Sequence, residues 1–243
     1  MNLVFYLLVT CLLALSCQDV NTDILAKTHE VIPPESLLKD STLVDTASLQ
    51  INLVPSGDYV SLKAEIKKKK ASQYSKADFE HYLLDQIIPH WYGTEWDFNG
   101  YSATPNEGVI ACGYFVSTTL EHIGLVINRY HLAQQAGLNE AKSLAIEESK
   151  YFTVYGWEAL KKKMNDYEDG IYFVGLDNHV GYLYKEAGIL YFIHSNYIED
   201  RVMIEKAQFS QAFESNIYVV AELSTNELLR EKWRKGQRVE VIR

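Results

Sequence analysis

The stretch Gly108-Val109-Ile110-Ala111-Cys112-Gly113-Tyr114-Phe115-Val116 decides how this chain is read. Small residues lead to a cysteine. Directly after it, apolar side chains recur at Phe115, Val116, Leu120 and Ile123, with Thr119 on the same line. That spacing predicts an amphipathic helix with one buried face, and Gly124 supplies its stop. Cys112 then falls in the first turn, where unpaired N–H groups and the positive end of the helix dipole favour a thiolate. A lone cysteine is more often an inert core residue. The rest of the chain has to separate a nucleophile from a packing residue.

Downstream the composition changes. Ile171–Leu176 and His179–Tyr184 read as strands divided by the turn-like Asp177-Asn178, and Gly188 separates the second from Ile189–Asn196. Val202–Glu205 and Ile217–Leu223 follow, with a short helix around Phe209–Phe213. Strands at this spacing with tight breaks predict an antiparallel meander. Helices are expected over residues 59–71, from an N-cap at Ser75 to a stop at Pro89, over Asn128–Gly137, over Glu140–Ser149, over Trp157–Met164 and over 225–235. Helices first and an antiparallel sheet after them make an α+β protein. Between the second helix and Cys112 lies His90-Trp91-Tyr92-Gly93-Thr94-Glu95-Trp96-Asp97-Phe98-Asn99-Gly100-Tyr101, a loop rich in aromatics. Trp91, Trp96 and Asn99 are its candidates for contact with a substrate.

A cysteine nucleophile needs a base, and the base needs an orienting group. His179 opens a strand of the meander and is the best base. His194 and Asn196 share one face of the next strand, because side chains alternate with period two. Either can lie cross-strand from His179 and bond its far ring nitrogen.

The chain begins with an almost wholly apolar run over residues 1–16, too short to span a bilayer, which reads as a signal-peptide core. It ends Leu13-Ala14-Leu15-Ser16-Cys17, which resembles the lipobox of bacterial lipoproteins. That resemblance implies a lipid on Cys17 and a membrane anchor, and Gln18 leans the sorting toward the outer membrane rather than the inner one. Residues 17–57 read as a tether with breaks at Pro33-Pro34 and Pro55-Ser56-Gly57, and with a short strand over Leu49, Ile51 and Leu53. Residues 58–243 form the body, long enough to bury a core without staples.

The totals agree with this outline. Of three cysteines, two lie in the leader, so no disulfide framework is expected in the body. The formal charge of -9 lacks the basic footprint of a nucleic-acid binder. Lys67–Lys70 reads as a solvated helix face, and Arg129 and His131 are expected on the surface of a short helix. The remaining histidines lack the close spacing of a zinc motif, so no metal and no cofactor is expected.

Several blocks resemble the NlpC-type papain-like cysteine peptidases of the cell-wall hydrolase superfamily. Cys112-Gly113-Tyr114-Phe115-Val116 resembles their D-C-S-G-F-V core, and Gly124-Leu125 with Arg129 and Gln134 or Gln135 resembles their G-I…R…Q segment. Asp169–Phe173 is similar to G-D-L-V-F-F, His179–Leu183 to H-V-G-I-Y, Ile193-His194-Ser195 to I-H-A, and Tyr92-Gly93 to Y-x-x-G-G. The blocks keep the family's order over about residues 78–223. The resemblance implies a papain-like fold with N-terminal helices on a small antiparallel sheet. It implies Cys112 as nucleophile, His179 as base, His194 as orienter and Tyr92 near the oxyanion, with Asn196 as the alternative orienter. The implied reaction is cleavage of an amide bond in peptidoglycan stem peptides or another peptide by a monomer. A non-catalytic module binding a glycan or peptide, and a cysteine acyltransferase, are the alternatives. Ala111 stands where the family has Asp, and Gly113 where it has Ser.

Overall fold

Tyr182 and Leu183 are neighbours in one strand, yet each belongs to a different hydrophobic cluster, because a central antiparallel sheet is buried on both faces. The computed structural model describes residues 52–68 and 74–243, which lie within one unit spanning Ile32–Arg243. The leader, Cys17 and most of the 17–57 tether lie outside the described residues. Of the short strand expected there, Leu53 is described and belongs to no strand.

The sheet has six strands: β1 (Tyr151–Tyr155), β2 (Gly170–Gly175), β3 (Val180–Glu186), β4 (Ile189–Asn196), β5 (Arg201–Lys206) and β6 (Ile217–Glu222). Their order is β1-β6-β2-β3-β4-β5, with every pairing antiparallel. The α+β class therefore holds. β2 to β5 are the expected meander. β6 does not extend it beyond β5 but returns to pair with β2, and β1, unforeseen as a strand, pairs on the far side of β6.

Eight α-helices surround the sheet among the described residues. They are α1 (Tyr59–Lys68), α2 (Lys76–Glu80), α3 (Ile88–Trp91), α4 (Cys112–His122), α5 (Arg129–Ala133), α6 (Gly137–Ala145), α7 (Trp157–Met164) and α8 (Glu227–Lys235). Ser75 caps α2 with a capping box to Asp78. A π-helical segment, His81–Ile87, joins α2 to α3, so the helical run passes Pro89 instead of stopping before it. The register changes just where a residue without an N–H enters the spiral.

The first cluster joins Phe115, Val116 and Leu120 of α4 to Tyr182, Ile193 and Ile204 of the sheet. The second packs Leu160 and Met164 of α7 and Phe213 under Tyr172, Leu183 and Phe192. Each fully buried Phe or Leu stabilises the fold by roughly 1.5–3 kcal/mol. α4 is buried beyond one stripe: Ser117, Thr118 and His122 are inside as well. Thr119 hydroxyl bonds Tyr182 Oη at 2.7 Å, which locks α4 onto β3. No described helix is long and apolar enough to cross a membrane.

Candidate functional site

Cys112 is the first residue of α4, after Ala111 in extended conformation, and its side chain is partly exposed. Ala111 offers no side-chain cap, so the first-turn amides are left for other partners. The sulfur takes backbone hydrogen bonds from Val180, Gly113 and Cys112 itself. These amides hold the thiolate down in pKa. Burial pushes it up by more, and the buried carboxyl of Glu140 adds to the rise, so the thiol lies above its ordinary value. The expectation of a depressed thiol, based on the helix end alone, is thus corrected: desolvation outweighs the dipole.

The Val180 contact fixes the location. Val180 is the first residue of β3, and His179 stands directly before it. A tight turn brings His179 there, with Leu176 N–H bonding His179 C=O at 2.8 Å. The His179 ring turns toward the second cluster, edge-on to Phe192 at 5.6 Å between centroids. His194, on β4, stacks on the same Phe192 at 3.9 Å. Helix α4 and the imidazoles therefore approach β3 from opposite faces, and the link between them is the Val180 amide, which faces the sulfur and directly follows His179 in the chain.

His179 Nε2 and His194 Nδ1 are 2.7 Å apart. It is His194, and not Asn196, that holds His179. Gly181 permits this, because a Cβ there would stand 2.9 Å from His194 Cβ and 2.6 Å from Phe192. Both rings are pushed well below the usual imidazole range by burial, with the neighbouring His194 adding to the effect on His179. Burial thus favours the neutral form of the Cys112 thiol and of both imidazoles.

Beyond His194 lies a group that the sequence reading missed. Glu205 Oε1 is 2.9 Å from His194 Nε2, and it also receives Ser210 Oγ at 2.6 Å and Asn196 Nδ2 at 3.3 Å. The signal for Glu205 lay in the register: Phe192 pairs with Glu205 and His194 with Met203, so alternation sets His194 and Glu205 on one face.

Other expected residues are placed differently. Trp91 is fully buried, with its indole N–H bonded to Tyr59 Oη at 2.6 Å, so it is a core residue and not a substrate contact. It ends a helix, and the first cluster closes over it. Tyr92 is buried too; its hydroxyl has no hydrogen-bond partner among the described residues, burial pushes its pKa up, and the charge beside it is Asp85. Trp96 is half-buried against Tyr197 at 6.2 Å, and Tyr197 stands edge-on to His179 at 5.1 Å. Asn99 is exposed, in a loop braced by Asp97.

On the other side of Cys112, Tyr114 meets Tyr101 and Tyr130, and the Arg129 guanidinium lies 4.4 Å from the Tyr130 ring. Arg129 was expected at the surface but is buried. It bonds Thr118 Oγ1 at 2.6 Å and the carbonyls of Tyr101 and Ser102, tying the loop before Cys112 to α4 and α5. His122 is a satisfied core histidine on Tyr59 Oη at 2.7 Å. The described residues hold no group of three or more His, Cys, Asp or Glu arranged for a metal ion. No family model, curated protein or solved structure matches this chain.

Proposed function

We propose that this chain is a papain-like cysteine hydrolase of the NlpC type, held at the bacterial cell envelope by a lipid on Cys17, which cleaves an amide bond in peptidoglycan stem peptides. The observation that carries the reading is the thiol of Cys112. It sits at a helix start on the amide of the residue that follows His179, and His179 is itself held by a second imidazole.

The neutral resting state sets the order of events. His179 takes the S–H proton as sulfur attacks the carbonyl carbon, so base and nucleophile act together rather than as a stored ion pair. The amides that now face sulfur are suited to the developing oxyanion. The imidazolium returns its proton to the departing amine, leaving an acyl-thioester. Water, deprotonated by the same base, releases the acid. Trp96 and Tyr197 on one side and Tyr101 and Tyr130 on the other provide apolar walls for the substrate.

One observation favours a second reading, a non-catalytic module of the same fold: the sulfur accepts from backbone amides, and burial raises its pKa. The purified full chain, incubated with peptidoglycan fragments, separates the two. Release of new amine termini that disappears in Cys112→Ala, with an unchanged circular dichroism spectrum, supports the hydrolase. Equal release by the variant ends it. A product carrying an added amine acceptor indicates acyl transfer on the same thioester.

A further inference from the structure

We propose that Glu205 is a positioning residue that sets the tautomer of His179 through His194, leaving Nδ1 of His179 bare to accept a proton. The proposal rests on the hydrolase reading for its purpose, but not for its geometry.

The hydrogen-bond directions can be assigned one by one. Ser210 Oγ accepts from Phe213 N–H at 3.1 Å, so its own proton goes to Glu205. Asn196 Oδ1 accepts from the amides of Ile198 and Glu199 at 2.7 and 3.1 Å, which turns its Nδ2 toward Glu205. Two donors of known direction thus converge on Oε1 of Glu205, which is therefore an acceptor. His194 Nε2, 2.9 Å away, must donate to it. Burial keeps His194 neutral, so its single proton is on Nε2 and its Nδ1 is the acceptor. His179 Nε2 donates across 2.7 Å to that Nδ1. The remaining nitrogen of His179, Nδ1, carries a lone pair. A carboxylate two rings away has fixed the atom that takes the proton.

The cost of the arrangement shows that it is built. Glu205 and His194 are both buried, and burial raises the carboxyl's pKa, with the Ser210 bond pulling it back. A buried carboxylate without its donors is costly. Ser210 itself is held inside by the turn Gln211–Phe213, for which it is the N-cap.

The test is ¹⁵N NMR of the histidine rings in the full chain, alongside the rate of Cys112 alkylation by iodoacetamide. In the wild type, His179 and His194 are expected as Nε2–H tautomers. Glu205→Ala removes the acceptor, and both rings then populate the Nδ1–H form. Alkylation falls roughly 10- to 100-fold, part of what a positioned base contributes. Glu205→Gln keeps an acceptor oxygen facing Ser210 and Asn196, and restores tautomers and rate to near wild type; it also covers the case in which the alanine variant does not fold. An Nδ1–H tautomer at His179 in the wild type overturns the proposal, as do unchanged tautomers in Glu205→Ala. The two failures are distinct. Tautomers that follow Glu205 uphold the relay even if no peptide is cleaved. Hydrolysis lost in Cys112→Ala but indifferent to Glu205→Ala leaves the hydrolase and removes the relay.

Discussion

The β-carbon that Gly113 lacks would stand 2.7 Å from the carbonyl oxygen of Ala133 and 3.1 Å from its Cα. Helix α5 rests directly on the first turn of α4, one residue after the thiol. The absence of a side chain at Gly113 is what permits this contact between two backbones. Gly113→Ser forces α5 away or tilts α4. A stability loss of about 1–3 kcal/mol is expected, the usual cost of overpacking. Cys112 alkylation should change rate as the amides around sulfur shift. Urea midpoints and alkylation kinetics measure the two effects, and a variant with wild-type values for both removes the argument.

Gly181 protects the imidazole pair in the same way. A Cβ would meet Phe192 Cε2 at 2.6 Å, His194 Cβ at 2.9 Å and Ile193 C=O at 2.9 Å. None of these is the free end of a flexible chain. Gly181→Ala should therefore cost about 1–3 kcal/mol and part His194 from His179. The readout is loss of the shared proton signal between the rings in NMR. Its persistence would show that the β3–β4 hairpin can yield without moving the site.

Tyr59 joins three elements. Its hydroxyl accepts from Trp91 Nε1 at 2.6 Å and bonds His122 Nδ1 at 2.7 Å, pinning α1 against α3 and α4. Tyr59→Phe keeps the ring and leaves two buried polar groups unpaired, at about 1–3 kcal/mol each. A destabilisation of about 2–5 kcal/mol is expected in urea unfolding followed by tryptophan fluorescence. The exposed Val60→Ala in the same helix serves as the reference and should stay within about 0.5 kcal/mol of wild type. Equal effects from the two variants would mean that α1 contributes nothing through this bond.

How much of this was legible in the sequence depends on the range of the interaction. The Cys112 helix was readable because Phe115, Val116, Leu120 and Ile123 repeat at its own period. The hairpin from β3 to β4 was readable because Gly188 and alternating apolar residues lie within it, but it left His194 and Asn196 both open as partners of His179, and only the folded hairpin decides for His194. The return of β6 to β2 was not readable, since no local pattern specifies a partner more than forty residues away. Tyr151–Tyr155 was not readable as a strand, because its partly exposed residues give little alternation. Trp91 was misplaced because aromatics among Gly and Asn resemble a loop, whereas burial is decided by tertiary contacts with Tyr59 and Phe115. Glu205 ended an ordinary strand pattern, and its role needed the cross-strand register.

Acid stability offers a further test, through His122. Burial, with the charges of Lys63, Lys67 and Arg129 adding to it, pushes this ring down to about 3. The unfolded chain titrates near ~6.5. As pH falls below that value the unfolded state binds a proton that the folded state refuses until about 3. The contribution of His122 is therefore complete above the unfolded pKa and is lost progressively as pH falls toward the folded one. At pH ~5 the loss amounts to about 2 kcal/mol. His179 and His194 are lowered as well and act in the same direction, while Glu140, whose pKa is raised by burial, acts in the opposite one. His122→Gln keeps an acceptor for Tyr59 and cannot titrate. Its urea stability should fall between pH ~7 and ~5 by about 2 kcal/mol less than that of the wild type. Parallel pH profiles for the two proteins would show that the ring is protonated in the folded state and that its hydrogen bond to Tyr59 runs the other way.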